Sequence, residues 1–149
     1  MQLNLPAYEV KIRENGKKGK EIFDTFRKKY VRLTPEEWVR QHFLHYLCNE
    51  KGFPASLISV EKSLKINGRA RRFDAVVHRN DGSPFLLIEF KSPDVGLNQH
   101  VLDQVSAYNL AIHADYLIIS NGLLHYCCKM DYPNHRYTFL KDIPDFSDL

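Results

Sequence analysis

Apolar residues recur along this chain in two rhythms, one helical and one extended, and the change from one to the other marks out its elements. From Thr34 the spacing is helical. Val39, Phe43, Tyr46 and Leu47 fall on one stripe, Thr34 is placed as N-cap, Pro35 stands at the first helical position and Glu37 at the capping-box position. Gly52 and Pro54 end that run. The extended rhythm follows, with Ser56 to Leu64 as a first strand and Asn67-Gly68 as its turn. Arg72 to His78 and Phe85 to Lys91 are rich in β-branched and aromatic residues, and Asn80-Asp81-Gly82-Ser83 between them predicts a β-hairpin. Helical spacing returns at Val101, Val105, Tyr108 and Ile112, with Gln104 on the same stripe. Tyr116 to Ile119 is a short apolar strand, and Asn121-Gly122 opens a return arm through Leu123 to Cys128.

Ahead of the first helix, Tyr8 to Arg13 and Ile22 to Val31 read as two extended arms around Asn15-Gly16. The pattern therefore predicts an α/β fold, a mixed central sheet flanked by helices in the order αβββαβ, with an N-terminal β-hairpin. A chain of 149 residues makes one domain over 1–149. It divides into a hairpin arm (1–33), a core (34–130) and a C-terminal strand with an irregular acidic tail (131–149).

Two carboxylates break the apolar strand pattern. If Asp81-Gly82 forms a two-residue loop with Asn80 facing Ser83, the register sets Asp74 directly opposite Glu89. Facing side chains on one sheet face have Cβ atoms roughly 4.5–5.5 Å apart, where like charges repel unless a cation neutralises them. Strand alternation puts Leu87, Glu89 and Lys91 on one face, and Leu86, Ile88 and Phe90 on the other. Phe85 to Phe90 holds a single charge among six residues, as a strand buried on both faces does. At about 100° per residue, Glu36 projects within the arc of Val39, Phe43 and Leu47, whereas Glu37 points off it. An acid in the first helical turn also complements the helix dipole at the surface.

Charge and composition narrow the chemistry. The formal net charge is only +3, yet nine Lys or Arg stand against three acids between Lys11 and Arg32. That run, with Lys17, Lys18 and Lys28, suits phosphate or a solvated hairpin alike, and Arg69 and Arg71 gather near the Asn67-Gly68 turn with Lys62, Lys65 and Arg72. Cys48, Cys127 and Cys128 form an odd set without zinc-ligand spacing, and no N-terminal apolar segment resembles a signal peptide or membrane span. These features predict a reduced, cytoplasmic protein. Neither a Gly-x-Ser-x-Gly elbow nor a phosphate-cradling Gly-Lys-Ser/Thr loop is present.

Glu36, Asp74, Glu89-Phe90-Lys91 and Gln104-Val105-Ser106-Ala107-Tyr108, carried in this element order, resemble the PD-(D/E)xK nuclease superfamily with its restriction-endonuclease-like core. Pro35-Glu36-Glu37-Trp38-Val39-Arg40-Gln41, Arg72-Phe73-Asp74, Ile88-Glu89-Phe90-Lys91-Ser92-Pro93 and Ser120-Asn121-Gly122 narrow this. They resemble the N-terminal nuclease domain of type I restriction enzyme R (motor) subunits over roughly Thr34 to Gly122. Phe73 stands where the superfamily's name has Pro.

The resemblance implies a Mg²⁺-dependent DNA endonuclease, with Mn²⁺ able to substitute. Asp74, Glu89, the Phe90 backbone carbonyl and Glu36 would serve the metal or its water, a set of oxygen donors that suits a hard cation. Lys91 would orient the attacking water and stabilise charge on the scissile phosphate. Gln104 and Tyr108, four apart on one helix face, would position DNA. The implied partners are DNA and a motor or specificity subunit. No ATP-driven translocase follows in these 149 residues, so the chain reads as a stand-alone relative or part of a larger protein. The alternative is a nucleic-acid-binding module that keeps the nuclease fold but cuts only with a partner subunit.

Overall fold

A computed structural model describes residues 2–149; Met1, within the predicted arm, lies outside the described residues. Strands β1 (Ile12–Glu14), β2 (Lys20–Asp24) and β3 (Lys29–Arg32) precede helix α1 (Pro35–Glu50). Then come β4 (Ile58–Ile66), β5 (Arg69–His78), β6 (Pro84–Phe90), α2 (Gln99–Ile112), β7 (Tyr116–Ser120), β8 (His125–Asp131) and β9 (Arg136–Leu140). The last six strands form one sheet in chain order, antiparallel except for the parallel β6–β7 pair that α2 spans. The mixed α/β sheet is as the pattern predicts, with the return arm as β8 and the C-terminal strand as β9.

Each face of the sheet carries one helix. Ala75, Val77, Leu86, Ile88 and Phe90 pack with Val39, Phe43 and Leu47 of α1. Val76, Leu87, Leu117 and Ile119 pack with Leu102 and Val105 of α2. The alternation read from Phe85 to Phe90 therefore holds, and β6 is buried on both sides. Thr34 Oγ1 accepts the Glu37 N–H at 3.0 Å, closing the N-cap of α1. Asn67 (φ +51) and Gly68 (φ +80) form the two-residue turn between β4 and β5, a conformation that Asn-Gly accepts readily.

Four expectations need correction. The N-terminal arm is a three-stranded antiparallel sheet rather than one hairpin, because Asp24 turns the chain between β2 and β3. Its carboxylate accepts from the N–H groups of Phe26 (2.7 Å) and Arg27 (3.1 Å), an Asx-type turn. The arm also covers α1, where Tyr8 stacks on His45 at 3.9 Å between ring centroids, so His42, Leu44 and Gln41 are buried as well as the apolar stripe.

The β5–β6 loop is one residue longer than predicted. Asn80 does not face Ser83; Arg79 N–H donates to Ser83 C=O, and Gly82 at φ +89 donates to Arg79 C=O. A register shift between Val77 and His78 absorbs the extra residue, so Ala75 still pairs with Ile88 as the predicted register requires. On α2 the inward residues are Leu102, Val105 and Asn109, and Gln104 is exposed. The tail from Asp142 is not frayed: Ile143 is buried, Phe146 packs against Phe53, and Phe146 N–H donates to Lys51 C=O at 2.8 Å.

The chain's start is tied down too. Asn4 N–H donates to Gly122 C=O at 2.8 Å, and Asn4 C=O meets His125 Nε2 at 3.0 Å. With Nε2 donating, Nδ1 accepts from the Ser120 hydroxyl at 2.7 Å. Burial lowers the His125 pKa, which favours the neutral ring this arrangement needs.

Candidate active site

Asp74 sits where backbone pairing gives out on both sides of β5. On one side the ladder with β6 ends at Ala75–Ile88, and on the other β4 pairs through Val60 and Lys62 but skips Glu61, which lies at φ +54. Asp74 Oδ2 takes over as acceptor for the Phe90 N–H at 2.7 Å, which orients the carboxylate toward β6. The Glu89 carboxyl feels Asp74 electrostatically: its pKa is pushed up to about 8, first by burial and then by the Asp74 charge. The pair anticipated from the hairpin register is thus brought together.

Glu89 and Lys91 share a cleft of about 120 Å³ with Arg71, Arg72, Gln104 and Tyr108. Roomier hollows exist, such as one of about 350 Å³ beside Leu57, His78 and Phe85, so chemistry rather than size singles out this one. Lys91 N–H is anchored to Ser120 C=O at 2.9 Å. Gln104 Nε2 lies 3.5 Å from the Tyr108 hydroxyl, which also accepts from Arg71, and the Arg71 guanidinium lies over the Tyr108 ring at 3.6 Å. Arg71, Gln104 and Tyr108 therefore line one wall of the cleft that contains Glu89 and Lys91. Arg69 is exposed farther along β5, toward the Asn67-Gly68 turn. Lys17, Lys18 and Lys28 are exposed in the connecting turns of the arm and do not line the cleft.

The two acids of the first α1 turn are placed the other way round from the helical-wheel reading. Glu37 is the inward one, at 6 % exposure, whereas the Glu36 side chain is 46 % exposed. Glu37 is drawn in by partners that the stripe does not reveal: Arg27 of the arm at 2.5 Å, Arg40 at 3.0 Å and Gln41 at 3.2 Å. Glu36 lines a neighbouring hollow with Glu37, Arg40 and Glu61, and is linked to the site through Arg40 at 3.9 Å. Its pKa is raised, first by burial and then by the Asp74 charge, while Arg40 and Lys91 pull it down.

Sequence reasoning passed over Arg40, Glu61, Arg27 and Asp24. Arg40, 5 % exposed, reaches Glu37 (3.0 Å), Asp74 (3.4 Å), Glu61 (3.6 Å) and Glu36 (3.9 Å). Arg27 joins Asp24, Glu37 and Glu61, so a line of alternating charges runs from the arm turn to Asp74. The local signals were the short intervals from Glu36 and Glu37 to Arg40 and from Asp24 to Arg27.

The donor set can be tested against a cation. Among the described residues no three His, Cys, Asp or Glu side chains form a ready-made cage. Two adjoining carboxylates beside an open cleft nonetheless suit Mg²⁺, which keeps several of its waters and is held through one or two carboxylates.

A family model described as type I restriction enzyme R protein N terminus matches residues 35–144. The chain belongs to that family. The matched span takes in both helices and all six strands of the large sheet, and leaves out the arm. Among solved structures, the chain resembles a fragment described as an HsdR subunit of a type I restriction enzyme from Vibrio vulnificus, with a TM-score of 0.53 at 18 % identity. That likeness supports the fold. It covers 75 % of this chain and 24 % of the other, so this R-subunit domain spans about a quarter of its structural relative. No curated protein matches the chain. No helix among the described residues is long and apolar enough to cross a membrane.

Proposed function

We propose that this R-subunit domain is a Mg²⁺-dependent DNA endonuclease that hydrolyses phosphodiester bonds, with Mn²⁺ able to replace Mg²⁺. The observation that carries the proposal is the Asp74–Glu89 pair: two carboxyl groups held together, one with its pKa pushed to about 8, beside a lysine in a basic cleft. Such a pair is poorly stable without a cation, which is the property a metal site needs. Bound there, a divalent ion would polarise the phosphoryl oxygen and activate water.

The chain's own residues have distinct tasks. Asp74 and Glu89 hold the ion, with the Phe90 carbonyl and Glu36 as further oxygens for metal or water. Lys91 sets its ammonium against charge developing on the scissile phosphate. Arg71 and Tyr108 bind the strand near the cleft, with Gln104 beside them, while Arg69 and the arm residues Lys17, Lys18 and Lys28 add backbone attraction. DNA is the substrate, and a motor or specificity subunit the natural partner in the cytoplasm.

A second reading, DNA binding with cleavage only in a larger assembly, is favoured by the quarter of its structural relative that the chain spans. Supercoiled plasmid incubated with Mg²⁺ or Mn²⁺, against a chelator and against Asp74→Asn, separates the two. Metal-dependent nicking lost in the variant supports the endonuclease. Salt-sensitive binding without nicking by either protein selects the second reading.

A further inference from the structure

Arg40 is a buried cation within 4 Å of four carboxylates, and one of these is Asp74. Its position is fixed from behind. Arg40 Nη1 donates to both oxygens of Glu37 at 3.0 and 3.2 Å, and Glu37 is itself held by Arg27 and Gln41. The Arg40 side chain is therefore an anchored charge rather than a mobile surface one. Its Nη2 faces Asp74 Oδ1, while Asp74 Oδ2 is occupied by the Phe90 N–H. Both oxygens of the carboxylate are thus engaged by the protein itself.

We propose that Arg40 is the internal counter-ion of this site, a positioning residue that holds Asp74 in place without metal and competes with the divalent cation for its Oδ1 oxygen. The inference rests on the metal-site reading above and deepens it. Before metal arrives, Arg40 balances part of the repulsion among Asp74, Glu36, Glu61 and Glu89. When metal arrives, the guanidinium yields Oδ1 and falls back on Glu37 and Glu61, so no buried charge is left alone. The cost of that exchange keeps cation affinity lower than the carboxylates alone would give.

The alternative, an arginine that merely orients Asp74 for the metal, predicts the opposite sign. If Arg40 only orients, removing it loosens the ligand and weakens binding. If Arg40 competes, removing it deepens the negative potential and frees Oδ1, so binding tightens.

The test is calorimetric titration of the whole chain with Mn²⁺ in the absence of DNA, with Asp74→Asn as the control that locates the binding. Arg40→Gln should bind Mn²⁺ at least about tenfold more tightly than wild type, and Arg40→Lys, which keeps a positive charge, should stay within about threefold. Should Arg40→Gln fold poorly by circular dichroism, the double variant Glu37→Gln/Arg40→Gln removes the guanidinium together with its closest anion, and should also bind more tightly. Unchanged or weaker Mn²⁺ binding in these variants overturns the inference and leaves the metal site standing. Wild-type binding that is absent, or that persists in Asp74→Asn, overturns the metal-site reading and this inference together.

Discussion

Replacing Glu89 with glutamine probes the site through stability alone. Burial beside Asp74 moves the Glu89 carboxyl from 4.5 to about 8. A group raised in this way contributes stability that is fully present below its unfolded pKa and is lost as pH climbs through the folded value. Each pKa unit corresponds to about 1.4 kcal/mol, so the whole displacement would amount to about 5 kcal/mol. Glu89 borders an open cleft where water screens part of that penalty, which brings the expected loss to about 2–3 kcal/mol. The amide introduced by Glu89→Gln mimics the protonated acid and stays neutral. In urea denaturation with a chelator present, the two proteins should be nearly equally stable at about pH 4, and Glu89→Gln should lead by about 2–3 kcal/mol at about pH 9. Titrating groups remote from Asp74 and Glu36 are common to both chains and cancel in the difference, so the comparison reads the coupled acid cluster. A gap that does not change with pH, or a variant less stable at high pH, would refute the reasoning.

Three further outcomes follow from the geometry. Gly122→Ala places a methyl 2.7 Å from Leu3 Cδ2 and 3.0 Å from Val39 Cγ2 at φ +87, and should cost about 2–3 kcal/mol in urea denaturation. Asn109→Ala strips hydrogen bonds from Ala114 N–H, Ala114 C=O and the Tyr132 hydroxyl in a buried corner, with an expected loss of about 2–3 kcal/mol by the same measurement. Arg71→Ala should weaken DNA binding across sequences and lower the salt slope of affinity by about one, read by fluorescence anisotropy over a salt series. An unchanged slope would leave Arg71 as a partner of Tyr108 alone.

What the sequence disclosed was local or periodic. The Thr34 cap, the Asn67-Gly68 turn and the two-faced burial of β6 each follow from neighbours in the chain, and all three are present. The approach of Asp74 to Glu89 was legible because side-chain alternation constrains register even when the loop is one residue longer than expected. Placement that depends on distant charge was not legible. Glu37 is buried because Arg27, ten residues away in the β2–β3 turn of the arm, reaches it, and no helical wheel contains that arginine. Gln104 was read inward because it lies one turn from Val101 and Tyr108 on the helix, but Asn109 holds the inner row through its contacts with Ala114 and Tyr132. The third arm strand was missed because a single carboxylate, Asp24, makes the turn without glycine or proline.

The hairpin that carries both carboxylates is contiguous chain, whereas the parallel β6–β7 pair must wait for α2, and the Asn4–Gly122 contact closes nearly the whole core. Short loops close first, so β5 and β6 meet while Arg40 is still on an undocked helix. During that interval the two acids confront one another with Lys91 nearby but without Arg40 or a bound cation. Their repulsion is then a kinetic obstacle as well as a thermodynamic one: Glu89→Gln should speed refolding at alkaline pH while leaving the unfolding rate almost unmoved.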